Sequence, residues 1–252
     1  MVAIRKTKRG LCRFGTGTLL VACAISLMVS PGAALAEPEP GSSHGWKILE
    51  IPGKAPNAYT VQSNGVIEVE SRAAVSILYR ELDAKDRRGQ RLTWRWRVER
   101  SVPATDLTKR GADDRDLAVH VWFSDGSETV DWPRRFYTWA LGVIGFPPIG
   151  RTLTYVWGGD ARRGDRLANP HPETEGAIVV LRPSGTAENR WFSETVDVLS
   201  DYRRAFGDPV REPKFIAVSS DSDDTGSISR GRIADLKLTA ATGQPQALSD
   251  AH

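Results

Sequence analysis

The stretch RLTWRWRVER, Arg91–Arg100, alternates bulky apolar side chains with charged ones. Successive side chains of an extended chain point to opposite faces, so this alternation predicts a β-strand. Trp94 and Trp96 then share one face of the strand. Arg95 and Arg97 share the other. Burying two tryptophans removes on the order of 300–500 Å² from water, worth at most roughly 7–12 kcal/mol at ~25 cal/mol per Å². We therefore expect the tryptophans in the core of a sheet and the arginines on its opposite side.

Ten further stretches have the alternation or the β-branched and aromatic content of strands. They are Trp46–Ile51, Ala58–Gln62, Val66–Ser71, Val75–Leu82, Leu117–Phe123, Thr152–Trp157, Ala177–Leu181, Trp191–Val198, Phe215–Ser220 and Ile233–Leu238. Asn64-Gly65 is a hairpin turn signal between two of them. Helix signals are few: Ser200–Gly207, capped by Ser200 or Asp201, and Arg134–Leu141. The pattern predicts an all-β fold, an antiparallel β-sandwich of the jelly-roll, galactose-binding or lectin-like type, with one or two short helices.

The N-terminal 36 residues have the form of a secretory signal peptide. A basic start is followed by an apolar segment at about Thr16–Val29 and by Ala34-Leu35-Ala36, a small-x-small cleavage site. The alternatives are a membrane anchor, for which the apolar segment is short of ~20 residues, and lipidation at Cys23, after which the chain stays apolar. The pattern predicts a periplasmic or secreted protein.

Removal of residues 1–36 changes the composition in two ways. Five of the 34 basic residues lie in the signal, which leaves 29 against 31 acidic residues. A nucleic-acid partner, which requires a basic field, is therefore not expected. Cys12 and Cys23 also lie there, so the mature chain has no disulfide and no thiol ligand. We expect a flexible lead-in at residues 37–45, a single domain at 46–239, a disordered tail at 240–252 and no transmembrane segment after cleavage.

The arginines of the quoted stretch are candidate ligand-binding residues. Guanidinium groups bind carboxylates through two hydrogen bonds, and aromatic rings stack on sugar faces. If these arginines line a concave sheet face, a groove for a glycan or another polar ligand would be built from Arg95, Arg97, His120, Trp122, Tyr155 and Trp157. The alternative is a solvated outer face with surface ion pairs worth ~0–1 kcal/mol each.

Paired carboxylates are a second candidate. Asp113 and Asp114 lie in a polar loop and could hold Arg95 or Arg97, make ordinary ion pairs or turn caps, or serve acid–base catalysis. A polysaccharide hydrolase or lyase on a concave sheet face would draw its acids from Asp113, Asp114, Glu81 and Asp235, assisted by Arg97 or His120.

The stretch DSDDTG, Asp221–Gly226, resembles the first half of a calcium loop. The closing ligand of an EF-hand would fall on Arg232, which cannot coordinate a cation. A structural calcium of different geometry would use Asp221, Asp223 and the distant Asp235; the alternative is a turn capped by its own side chains. No other cofactor is expected, because the chain lacks the usual zinc, phosphate-loop and serine-hydrolase motifs.

The aromatic-rich segment Asp131–Gly150 has three interpretations: a lid over a groove, a surface that docks a partner chain, or a loop packed on the sandwich. The docking interpretation makes the protein an envelope scaffold, with a protein partner that the sequence does not identify.

Several motifs together resemble a bacterial family known as domain of unknown function 3047. They are Leu92–Val98, Asp113-Asp114 before a strand that ends in Phe123, Thr154–Gly158, Trp191, Asp201-Tyr202, Phe206–Pro209, Asp221–Gly226 and Ile233–Leu236. The chain departs from that pattern at Leu117–His120, where the family commonly shows an arginine, and at Asp224, where it commonly shows asparagine. The resemblance implies a secreted bacterial protein without an established activity. The closing strands are similar, more loosely, to carbohydrate-binding jelly rolls. We therefore expect non-catalytic binding of a carbohydrate or other polar ligand, with the hydrolase or lyase and the scaffold as alternatives.

Overall fold

The computed structural model describes residues 45–124, 150–171 and 175–240. The alternating stretch forms the fifth of twelve strands in these ranges. The strands are β1 (Lys47–Glu50), β2 (Ala58–Val61), β3 (Ile67–Arg72), β4 (Val75–Glu81), β5 (Arg91–Arg100), β6 (Arg115–Phe123), β7 (Thr152–Trp157), β8 (Arg166–Ala168), β9 (Gly176–Arg182), β10 (Phe192–Asp197), β11 (Pro213–Asp221) and β12 (Ile228–Thr239). A 3₁₀ turn at Asp86–Arg88 and a helix, α1, at Val198–Phe206 complete the described elements.

The strands form two sheets. The seven-stranded sheet has the order β1-β4-β11-β6-β7-β9-β8, and the five-stranded sheet has the order β10-β5-β12-β3-β2. Neighbouring strands are antiparallel except for β7 and β9, which run parallel. Consecutive strands repeatedly switch sheets, as β4, β5 and β6 do. The prediction of an all-β sandwich is confirmed. Strand β8 was not predicted because three residues are too few to show a period.

The aromatic side chains of β5 lie between the two sheets. Trp94 is 2% exposed and Trp96 is fully buried. The ring of Trp94 lies 5.6 Å from that of Tyr155, and the ring of Trp96 lies 5.6 Å from that of Trp157. These contacts join the five-stranded sheet to strand β7 of the seven-stranded sheet. The core position predicted for the two tryptophans is confirmed, since aromatic pairs at this spacing pack favourably.

The predicted hairpin turn and the predicted end of the helix are both present in the structure. Gly65 has φ +82°, and the backbone N–H of Gln62 donates to the carbonyl of Val66 at 2.8 Å, which closes the predicted hairpin between β2 and β3. At helix α1, the positive φ of Gly207 ends the helix where expected. The predicted cap is wrong: Asp197, rather than Ser200 or Asp201, caps the helix by accepting from the N–H of Ser200 at 2.8 Å. The helix begins earlier because the chain enters it directly from β10.

Several predictions concern residues outside the described ranges. They are the signal at 1–36 with both cysteines, the lead-in at 37–45 except for residue 45, the helix at Arg134–Leu141, the aromatic segment Asp131–Gly150 except for Gly150, and the tail beyond Ala240. Within the described residues, no helix has both the length and the apolar character required to cross a membrane.

Candidate ligand-binding face and acidic cluster

The residues predicted to line one groove lie in different parts of the sandwich. Tyr155 and Trp157 are fully buried in the core, on the side of β7 that faces the tryptophans of β5. The arginines of β5 point the opposite way because side chains alternate along a strand. The prediction that Tyr155 and Trp157 lie beside Arg95 and Arg97 is therefore wrong. The two aromatic residues hold the sheets together.

His120 lies on the outer face of the seven-stranded sheet, since its β6 neighbours at odd positions fill the core. It is 5% exposed. Its Nδ1 lies 3.0 Å from Thr154 Oγ1, and its Nε2 lies 2.9 Å from Ser219 Oγ. Burial, helped by the charge of Arg115, lowers the pKa of His120 to about 3. The imidazole is therefore neutral, with one nitrogen donating and the other accepting, and it links three strands.

Trp122 lies on the same outer face, in a separate apolar cluster. Its ring is 5.5 Å from that of Tyr79 and 6.0 Å from that of Phe215. Because β6 and β5 belong to different sheets, neither His120 nor Trp122 shares a surface with the arginines of β5. The prediction that they do is wrong.

The arginines of β5 lie on the outer face of the five-stranded sheet. The guanidinium of Arg95 is 4.8 Å from the ring centroid of Trp191, and that of Arg97 is 5.6 Å from the same centroid. Arg95 pairs with Asp235 at 2.6 Å, and Arg97 pairs with Glu99. The neighbouring strand β12 contributes Arg232 and Asp235 to the same surface. We call this surface the arginine face, defined by Glu68, Arg95, Arg97, Glu99, Trp191, Arg232 and Asp235.

Charges of opposite sign alternate on the arginine face. Arg232 lies opposite Arg97 in the register of β12 and β5. Its guanidinium is 3.1 Å from Glu68 and 3.2 Å from Glu99, so Glu99 lies between Arg97 and Arg232. Asp235 is 61% exposed and belongs to this face through Arg95. The prediction that Asp235 joins the calcium loop is therefore wrong.

A second concentration of charge lies where β6 begins and β11 ends. We call it the acidic cluster, defined by Asp113, Asp114, Asp221, Asp223 and Asp224. One carboxylate oxygen from each of Asp114, Asp223 and Asp224 lies within 4.8 Å of the other two. The cluster therefore contains two of the three residues predicted as metal ligands, together with the paired aspartates of the other loop.

Asp114 joins the two loops of the cluster. Its Oδ1 accepts from the backbone N–H of Asp224 at 3.2 Å. Its Oδ2 accepts from both the N–H and the hydroxyl of Thr225, at 2.8 and 2.6 Å. The backbone N–H of Asp113 donates in return to Asp224 at 3.3 Å. The prediction that Asp113 and Asp114 hold the arginines of β5 is wrong, since their partners are the DSDDTG loop, Arg115 of β6 and His171.

Arg115 lies between two carboxylates of the cluster. It is 3.3 Å from Asp113 and 3.3 Å from Asp221. Burial would raise the pKa of Asp113, but His171 at 3.1 Å and the charge of Arg115 bring it below its ordinary value. Burial holds the pKa of Asp221 well above its ordinary value, and the nearby Asp223 adds to this effect while Arg115 opposes it. The two aspartates thus have opposite electrostatic environments.

The hydrolase alternative requires two acids that face each other. Glu81 pairs with Arg87 at 2.6 Å, and Asp235 belongs to the arginine face. Of the four acids proposed for that mechanism, only Asp113 and Asp114 lie in one cluster.

Three residues of these sites were not predicted as site residues: Trp191, His171 and Asp224. Trp191 was assigned to a strand, and its position over the arginines depends on the register of β10 and β5, which pairs Ser193 with Arg95. His171 reaches Asp113 from 58 residues away. The run of aspartates in DSDDTG could have indicated Asp224 as a further site residue. No local pattern in the sequence indicates the other two contacts.

None of the curated proteins compared with the chain matches it in sequence. Among solved structures, the xyloglucanase domain of NopAA, a type three effector from Sinorhizobium fredii, in complex with cellobiose, has a TM-score of 0.44 at 9% identity, covering 77% of this chain and 93% of that one. The family 12 xyloglucanase from Bacillus licheniformis has a TM-score of 0.38 at 6% identity, covering 74% and 98%. The K3 adhesin domain of Lys-gingipain from Porphyromonas gingivalis has 0.33 at 14%, covering 78% and 93%. These similarities are too distant to assign a function.

A family model described as protein of unknown function (DUF3047) matches residues 44–237. The match includes β5, the arginine face and both loops of the acidic cluster. It confirms the resemblance seen in the motifs. The chain therefore belongs to the protein family of unknown function DUF3047.

Proposed function

We propose that this protein, once exported, binds a carbohydrate on the arginine face without turning it over. The observation that carries the proposal is the partly exposed Trp191, whose ring lies over the guanidinium groups of Arg95 and Arg97. Indole rings stack on the apolar faces of sugars. Two guanidinium groups beneath the ring hold it in place through cation–π attraction. A stacking platform held in one position loses little entropy on binding.

The ion pairs around Trp191 fit the chemistry of sugar hydroxyls. A hydroxyl both donates and accepts hydrogen bonds. Carboxylates such as Glu99 accept them, and guanidinium groups such as Arg232 donate them. Because the two kinds of group alternate, the face offers paired acceptors and donors without a strong net charge. We therefore favour a neutral glycan over an acidic one.

An open cavity of about 220 Å³ lies further along the same pair of strands. It is lined by Gln90, Arg91, Thr195, Val196 and Asp197. Arg91 and Asp197 are paired in the register of β5 and β10, as Arg95 and Ser193 are. A chain of several sugar units that stacks on Trp191 could therefore continue along β10 toward this cavity.

Screening the purified protein on a glycan array, followed by calorimetry with the best ligand, tests the proposal. We expect Trp191→Ala to lower the affinity about tenfold or more, as for a central aromatic contact. Arg95→Ala should lower it less. Trp46→Ala is the matched control, because Trp46 is another partly buried tryptophan with an arginine over its ring, Arg80 at 5.3 Å. Trp46 lies outside the arginine face.

Two results would overturn the proposal. One is the absence of any binding on an array that includes neutral plant and bacterial polysaccharides. The other is an equal loss of affinity in Trp191→Ala and Trp46→Ala, which would indicate general destabilisation rather than a lost contact. Circular dichroism of each variant shows whether it is folded.

A further inference from the structure

The geometry of the acidic cluster points to a binding site for one calcium ion, and we propose that Asp114, Asp223 and Asp224 are its ligands. Two oxygen ligands at about 2.4 Å from one calcium can be at most about 4.8 Å apart. One carboxylate oxygen from each of these three aspartates meets that limit. Three side chains from two loops therefore already have a spacing that a single cation can bridge.

The carboxylate of Asp221 is the second, independent observation. Asp221 is 7% exposed, and among the described residues its Oδ1 has no hydrogen-bond donor. This side chain lies against the side chain of Asp223 and near that of Asp114. Arg115 pairs with Oδ2 of Asp221 and Lys54 pairs with Asp223, so within the described part of the chain Oδ1 of Asp221 is the oxygen left without a partner. A buried oxygen without a hydrogen-bond donor, on a side chain that contacts the cluster, is the arrangement expected beside a cation.

The hydrogen bonds of Asp114 leave one lone pair of its carboxylate free to bind a metal. A carboxylate oxygen has two lone pairs. Oδ2 of Asp114 uses both of them on the N–H and hydroxyl of Thr225. Oδ1 accepts one hydrogen bond, from Asp224, and its second lone pair is available to a cation. The same bonds fix the orientation of the carboxylate, so little entropy is lost when it binds.

Two basic side chains contact the acidic cluster. Arg115 pairs with Asp113 and Asp221, neither of which is a proposed ligand. Lys54 contacts Asp223, and its side chain is 43% exposed, so it can move into solvent when a cation binds. An all-oxygen site with three carboxylates suits a hard cation such as calcium rather than a transition metal. The ion would tie the loop before β6 to the loop after β11.

The test is calcium binding by the protein after dialysis against EDTA. Sites in extracellular modules bind calcium at about 0.1–1 mM. Calorimetry should therefore detect one site in this range, and 10 mM calcium should raise Tm by at least about 2 °C, with a smaller rise for magnesium. Asp224→Asn should weaken binding about tenfold or more. Asp235→Asn is the matched control, because Asp235 is an exposed aspartate paired with Arg95 outside the cluster. It should bind like the wild type.

The proposal fails if calcium produces neither heat nor a shift in Tm, if magnesium shifts Tm as much as calcium, or if Asp235→Asn weakens binding as much as Asp224→Asn. Asp223→Asn provides a second variant should Asp224→Asn fail to fold. The site goes beyond the proposed carbohydrate function. Its test contains no sugar, so either proposal can fail alone.

Discussion

The arginine face and the acidic cluster hold charge in opposite ways. On the arginine face, Arg95, Arg97 and Arg232 each pair with a carboxylate, and the side chains are partly exposed. In the acidic cluster, five carboxylates lie together, and Asp114 is fully buried. Exposed pairs contribute little to stability and are screened by salt. Buried like charges are costly unless they are compensated. The first surface suits a neutral ligand, and the second suits a cation.

The largest effect is expected where charge is both buried and balanced. Glu194 is buried and accepts hydrogen bonds from Arg182 at 2.5 Å, Arg163 at 3.3 Å and Trp96 Nε1 at 3.3 Å. Glu194→Gln removes the charge that compensates both arginines, so we expect a loss of about 3 kcal/mol or more in the free energy of unfolding. Urea denaturation measures it. A loss below about 1 kcal/mol would show that the buried ion pairs of Glu194 contribute no more to stability than the exposed pairs of the arginine face.

The pH dependence of stability contributed by His120 is set by burial and by the charge of Arg115. Its pKa is about 3 in the folded protein and about 6.5 when unfolded. Between these values the unfolded state binds more protons. The stability contributed by the neutral imidazole is therefore complete above pH 6.5 and is lost as pH falls, by about 1.4 kcal/mol per pH unit. His120→Gln should lack this loss.

The difference between wild type and His120→Gln isolates this contribution. Burial raises the pKa of Asp116 to about 7, so the stability associated with Asp116 increases as pH falls from about 7 towards its ordinary value, opposite in sign to that of His120. Asp116 is present in both proteins and cancels in the difference. Urea denaturation from pH 7 to pH 4 gives the two curves. Parallel curves would mean that the pKa of His120 is the same in the folded and unfolded states.

The smallest effect is expected for an exposed ion pair on the five-stranded sheet. Arg230 is 52% exposed and lies 2.8 Å from Glu70 through its Nε. Arg230→Gln should change the free energy of unfolding by about 0–1 kcal/mol, and 1 M salt should remove most of that change. A salt-independent loss above about 2 kcal/mol would show that these pairs are not solvated.

Alternation along a strand could be read directly from the sequence. It placed Trp94 and Trp96 in the core and Arg95 and Arg97 on the outer side, because a period of two depends only on neighbouring residues. The sheet to which each strand belongs could not be read in this way. His120 was grouped with the arginines on one predicted concave face, whereas β5 and β6 lie in different sheets.

The composition of the sites could not be predicted from the sequence, because it depends on contacts between loops that are far apart in the chain. The DSDDTG loop was recognised as a candidate for metal binding, but its partner was taken to be Asp235, eleven residues after Asp224. Asp114, 110 residues away, lies there instead, because β6 and β11 are neighbours in the seven-stranded sheet. Trp191 reaches Arg95 through a register that no local pattern specifies.

The most direct test of the difference between the two regions is the free energy of unfolding of Asp221→Asn in EDTA at neutral pH. If burial among other carboxylates makes the charged form of Asp221 costly, an uncharged amide relieves that cost, and the variant will be at least as stable as the wild type. If Asp221 is instead one half of a compensated buried pair with Arg115, the variant will lose about 3 kcal/mol or more, as expected for Glu194→Gln. That loss would contradict the account.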